Sequence, residues 1–163
     1  MMSFTQAVRV CLKEKFLTFS GRASRSEYWW FVLFTILVSI ATGILDAILG
    51  TTITSVSAKG EVEETGIIST IITLILLIPT YAVMFRRIHD RNLSGWFVGS
   101  QFILLVLAIL FAFVGAKNFT FILLFAFLGL SVYISIMTIL KGDNGRNDYG
   151  PDPLNPNSNS SIF

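Results

Sequence analysis

Four long apolar stretches dominate this chain: Tyr28–Ile48, Ile67–Phe85, Trp96–Gly115 and Phe119–Leu140. Each has about 20 residues, which at 1.5 Å of rise per residue covers a hydrocarbon core about 30 Å thick. Asp46, near the end of the first stretch, is their only ionised side chain. Of the 163 residues 53% are hydrophobic and 13% charged, too little polar surface to coat a soluble domain of this size. The pattern predicts an all-α membrane protein with four transmembrane helices and argues against a soluble helical domain. Cys11 is the single cysteine, so neither an internal disulfide nor a multi-cysteine metal site is available.

Twenty-seven mostly polar or amphipathic residues precede the first stretch, which is too long for the apolar region of a cleaved signal. The first helix is expected to remain as an anchor. Ten of the twelve basic residues fall in the N-terminal segment, the middle loop and the C-terminal tail, leaving only Lys59 and Lys117 in the other two connections. The positive-inside rule then predicts that both termini and the middle loop face the cytoplasm.

Three regions follow: residues 1–27, an amphipathic helix and a polar lead-in motif; 28–140, the four-helix bundle; and 141–163, a cytoplasmic tail. In residues 3–18, Phe4, Val8, Cys11, Leu12 and Phe16 recur at helical spacing, with Arg9, Lys13 and Glu14 off that stripe. Such a helix either lies at the lipid headgroup boundary or packs on the bundle's cytoplasmic ends. Ser3 with Gln6, and Ser24 with Glu27, have the spacing of capping boxes. Tyr28, Trp29, Trp30 and Trp96 are expected as interface anchors.

Ser39, Gly43 and Ala47 form a small-residue face suited to close helix approach, within the monomer or in a homo-oligomer. Asp46 is expected at the outer interface, or else in a buried ion-coupling role. Residues 49–66 read as an acidic outer loop. Pro79 cannot donate to the carbonyl of Ile75 and predicts a kink. Only Ala116, Lys117 and Asn118 join the last two stretches, which forces an antiparallel hairpin. Ser131 and Ser135 could form another packing face, and Lys141 followed by Gly142 reads as a helix stop. The polar tract Asn155 to Ser161 is expected to be disordered.

Polar residues gather in three patches at helix ends, running Phe19–Trp30, Arg86–Trp96 and Gly142–Pro153. If they share one layer, Arg22, Arg25, Arg86, Arg87, Arg91 and Arg146 face Glu27, Asp90, Asp143, Asp148 and Asp152. The patches resemble those of a bacterial inner-membrane family catalogued as domain of unknown function 805. The likeness rests on Phe19, Gly21, Arg22, Arg25, Tyr28 and Trp29, on Arg86, Arg87, His89, Asp90, Gly95 and Trp96, and on Asn147, Tyr149, Gly150, Pro151 and Pro153. It covers roughly residues 16–153 and implies a helical, multi-pass protein of the bacterial inner (plasma) membrane, with no established reaction or ligand.

Three functional readings compete. The patches could bind an anionic phospholipid, a small anion or a membrane-protein partner, with Arg22, Arg25, Arg86, Arg87 and Arg91 supplying charge and His89, Asp90 and Tyr149 orienting it. They could instead be a structural lock at the helix ends. An enzyme is the weakest reading, because adjacent His89 and Asp90 do not face one another on a helix and no zinc, nucleophile-elbow or phosphate-loop motif occurs. The expectation is a non-enzymatic protein with no cofactor, metal or nucleic-acid partner. A small oligomeric transporter or channel, or a pure scaffold, is the alternative.

Overall fold

The structure is a computed structural model and describes residues 1–56 and 62–155. Lys59, Glu61 and the expected disordered tract past Asn155 therefore lie outside the described residues. The four apolar stretches form α2 (Arg25–Leu49), α3 (Ile67–His89), α4 (Trp96–Phe113) and α5 (Lys117–Ile139), each long and apolar enough to cross a membrane. A spanning helix satisfies every backbone group internally, and its contact with lipid favours unbroken runs of Leu, Ile and Phe. Their large side chains point outward: Leu74 is 62% and Phe125 77% exposed on the isolated chain. These surfaces face the hydrocarbon.

Helix α2 packs along α3, and α4 along α5. The two hairpins join at the end that also holds the chain's first residues. There Cys11, Ala23, Tyr28, Phe31 and Val83 form one core cluster, and Ile88, Val98 and Ile134 a second. Deeper in the bundle, Gln101 Nε2 donates to Ser131 Oγ at 2.7 Å and ties α4 to α5. Helix α3 runs unbroken past Pro79, and Thr80 Oγ1 donates to the carbonyl of Leu76 at 2.7 Å, adding a local bond beside the one proline removes. Residues 114–116 close the α4–α5 hairpin, with Gly115 at φ 79° supplying the left-handed turn.

The connection from α2 to α3 departs from the expected loop. Thr52–Val56 (β1) and Val62–Gly66 (β2) pair antiparallel, with Thr54 opposite Glu64. Asp46 lies at this end of α2, yet it is only 2% exposed. Its carboxylate accepts from Thr51 Oγ1 at 2.6 Å and from the backbone N–H groups of Ile68 at 3.0 Å and Ser69 at 2.8 Å. It thus caps the start of α3, a role open to an acceptor at a helix N-terminus.

The N-terminal segment forms α1 (Phe4–Arg9) and a π-helical turn (Val10–Glu14), shorter than the expected span. The Ser3–Gln6 capping box is complete. Ala7 and Cys11 are buried while Arg9, Lys13 and Glu14 are exposed, so the apolar stripe faces the bundle. The segment is held against α2 by Trp30 Nε1 donating to the Met2 carbonyl at 3.1 Å and by edge-on packing of Phe4 on Trp30.

Candidate functional site

The three polar patches meet in one layer at the end of the bundle carrying α1. Ser24 Oγ accepts from the Glu27 N–H at 3.2 Å and starts α2. The Glu27 side chain does not complete the capping box. It points inward and pairs with Arg86 of α3, whose other terminal nitrogen lies 3.8 Å from Cys11 Sγ. Glu27 is 2% exposed and Arg86 fully enclosed. One turn of α3 thus ties α2 and the N-terminal segment together through a single guanidinium.

Asp90, at the end of α3, is shared by two arginines. Arg22 Nε donates to Oδ1 at 2.9 Å, and Arg87 Nη1 donates to Oδ2. One carboxylate cannot neutralise two guanidinium groups, so backbone carbonyls supply the remaining acceptors. Arg22 donates to the carbonyls of Asp143, Gly145 and Gly150 in the tail. Arg87 donates to Thr138 O at 3.1 Å, to Ala23 O at 3.4 Å and to Leu140 O. The Thr138 and Leu140 carbonyls lie at the C-terminus of α5, the negative end of its dipole, so Arg87 serves as that helix's cap. Burying a charge costs several kcal/mol unless it is paired and hydrogen-bonded, and this network meets both conditions. The Asp143 N–H closes the layer by donating to Asp90 O at 2.8 Å.

His89 lies on another side of the same turn. Its ring stacks on Tyr149, with centroids 3.9 Å apart and planes 3° from parallel. Nδ1 is 3.2 Å from the carbonyl of Gly21, and Asn147 Nδ2 donates to His89 O at 2.9 Å. His89 and Asp90 are thus occupied by different partners, and their side chains share no hydrogen bond among the described residues.

Of the residues expected to bind a ligand, Arg22, Arg86, Arg87 and Asp90 are enclosed at this end; Arg22 and Arg87 are saturated by protein acceptors, while Arg86 pairs with Glu27 and keeps a buried Nε with no described partner. They clamp the helix ends and tail. Arg91 is partly exposed, donates to Lys141 O and lies 3.7 Å from Asp143 Oδ1. Arg25 stands apart: its side chain is exposed and bonds to no described residue. His89 and Tyr149 border a separate aromatic groove.

Tyr28 corrects the expected anchor set. It is 8% exposed and sits in the core, whereas Trp29, Trp30 and Trp96 are 42%, 39% and 74% exposed. Consecutive helical residues point about 100° apart, so Tyr28 and Phe31 share the inner face while Trp29 and Trp30 look outward. Two contributors escaped the sequence reading. Gln101 carried a signal as the lone amide in the third apolar stretch, whereas the carbonyls that receive Arg87 carried none.

The family model described as "Protein of unknown function (DUF805)" matches residues 16–151, a span that includes the first two patches and the third as far as Pro151. The chain is 34% identical to Inner membrane protein YhaH of Escherichia coli (strain K12) over 140 residues, covering 86% of this chain and 90% of that protein. It is 29% identical to Inner membrane protein YhaI of the same organism over 141 residues, covering 86% and 89%. No solved structure matches the chain. With its four spanning helices and nearly all of its motif patches inside the matched region, the chain belongs to the DUF805 family of integral membrane proteins.

Proposed function

We propose that this chain is a non-enzymatic inner-membrane protein whose polar end faces the cytoplasm and holds an anionic phospholipid headgroup between Arg25 and Lys141. The ten-to-two distribution of basic residues supports the orientation. The observation that carries the binding reading is a contrast among the cations. Arg22 and Arg87 are consumed by protein acceptors and Arg86 is enclosed against Glu27, while Arg25 and Lys141 are exposed and their side chains bond to no described residue.

Both cations line one small recess with Ser24, Gly142 and Asp143. Its volume of about 30 Å³ admits a water-sized group such as one phosphate oxygen. The carboxylate of Asp152 on the same wall already accepts from the N–H groups of Gly145 at 3.3 Å and Leu154 at 2.8 Å. Arg25 offers the paired donors that suit phosphate, and Lys141 adds a point charge. Basic pockets next to spanning helices on the cytoplasmic side favour anionic lipid.

Native mass spectrometry of protein released from mixed phosphatidylglycerol and phosphatidylcholine tests this reading. Retained phosphatidylglycerol should fall at least tenfold in the Arg25→Gln, Lys141→Gln double variant, with an unchanged melting profile. Equal retention by the variant would overturn the site.

A further inference from the structure

An open groove of about 540 Å³ lies beside the last turn of α3, lined by Phe19, Phe85, His89, Gly95, Trp96 and Tyr149 among others. No arginine or lysine among the described residues reaches its wall, so its chemistry differs from that of the Arg25 recess. The wall is built of rings. Phe19 meets Phe85 edge-on at 5.4 Å, Phe85 meets His89 edge-on at 6.4 Å, and His89 lies flat on Tyr149. Trp96 is 74% exposed at the mouth.

The His89 ring presents a nitrogen to this groove that has no partner among the described residues. Gly21 O can only accept, so the His89 Nδ1 facing it carries the hydrogen, and in the neutral ring Nε2 is a bare acceptor. Nε2 bonds to no described residue, although His89 is only 9% exposed. It lies against Gly95, where an added Cβ would sit 3.0 Å from Nε2 and 2.5 Å from Phe85 Cδ1. Gly95 has φ −58°, a conformation open to other residues. Glycine is needed there for space, and that space adjoins the unpaired nitrogen.

We propose that this groove binds the aromatic head of a membrane-soluble phenol or hydroquinone, whose hydroxyl donates to His89 Nε2. A planar ring suits walls made of aromatic edges and faces. Nε2 opens on the groove with no described partner, so a single O–H donor seated there adds one hydrogen bond. Trp96 opens α4 at the level where tryptophan prefers the membrane interface, so an apolar tail on the ligand could remain in the bilayer. Absence of cations on the wall disfavours an anionic headgroup here.

The test titrates the full chain, in phosphatidylcholine nanodiscs, with a short-chain alkyl hydroquinone kept reduced. The control is its dimethyl ether, which has the same ring and tail but no donor. Saturable quenching of tryptophan fluorescence is expected, with at least tenfold weaker binding of the ether. His89→Phe, which keeps a ring against Tyr149, should weaken the hydroquinone by a similar factor. The Arg25→Gln, Lys141→Gln variant should bind hydroquinone like the unaltered chain, so this inference and the lipid reading fail separately. Equal affinity for hydroquinone and ether in the unaltered protein would overturn the proposal, as would no saturable binding of either.

Discussion

Gly142 passes so close to Asp90 that a Cβ added to it would lie 1.9 Å from the carboxylate Oδ2. This contact docks the tail. The next residue, Asp143, donates its N–H to Asp90 O, and Arg22 holds the carbonyls of Asp143, Gly145 and Gly150. Gly142 is therefore not mainly a helix terminator. It lets the chain reach a carboxylate fixed by two arginines. Gly142→Ala should destabilise the protein by about 1–3 kcal/mol, the usual cost of overpacking a tight site. The readout is the denaturation midpoint in detergent, together with faster proteolysis between Asp143 and Leu154. An unchanged midpoint and cleavage rate would show that the tail is not held there.

Glu27 and Arg86 form a buried pair across 59 positions of sequence. Removing one partner strands an uncompensated charge, so Glu27→Leu or Arg86→Met alone should cost about 3–5 kcal/mol. Removing both replaces the pair by apolar contacts, and the double variant should be more stable than either single one. Unfolding midpoints of the four proteins in one detergent close the cycle. Additive losses would mean that the two residues act independently.

The spanning helices were legible because lipid imposes one simple requirement, an uninterrupted apolar run, and the sequence meets it four times. The meeting of the polar patches was legible too, since alternation of the spanning helices puts each at the same end of the bundle. What could not be read was how they divide their work. Arg22, Arg25 and Arg87 look equivalent in sequence, and the placement of the Asp90 carboxylate and of backbone carbonyls such as Thr138, Leu140 and Gly145 separates the saturated arginines from the free one. The β1–β2 hairpin was obscured because Thr54, Ser55 and Glu64 give no apolar alternation, which is the main strand signal. Tyr28 was misjudged because it was grouped with Trp29 and Trp30 as an aromatic belt, although helical geometry gives the three residues different faces.

Asp46 gives a third expectation. Its carboxylate receives the first N–H groups of α3, and Gly66 leaves room for it, since a Cβ there would lie 2.2 Å from Oδ2. Loss of a helix cap costs about 0.5–2 kcal/mol. Asp46→Ala should therefore lower stability by that amount, and Asp46→Asn, which keeps one acceptor oxygen, by less. Hydrogen exchange should accelerate at Ile68 and Ser69 while amides near Asp90 stay protected. Equal acceleration at both ends would contradict a local capping role.

Cys11 reports whether the N-terminal segment stays docked. Its thiol is fully buried, and desolvation, reinforced by the neighbouring Glu27 charge, raises its pKa from 9.0 to about 11. The thiolate is the reactive form. At pH 8 a shift of that size lowers its population about 100-fold relative to a free thiol, and burial slows attack further. N-ethylmaleimide should accordingly label the native protein at least 100-fold more slowly than the SDS-unfolded chain. The sign also fixes a pH dependence. The unfolded chain loses this proton near pH 9 while the folded one keeps it to about pH 11, so the thiol's contribution to stability is full below pH 9 and falls as pH rises to 11. Glu27→Gln removes the charge that reinforces the shift, but it also weakens the salt bridge to Arg86, so faster labelling in that variant must be compared with its unfolding midpoint. Rapid native labelling at pH 8 in the unaltered chain would mean that the N-terminal segment does not stay docked against Tyr28, Phe31 and Val83.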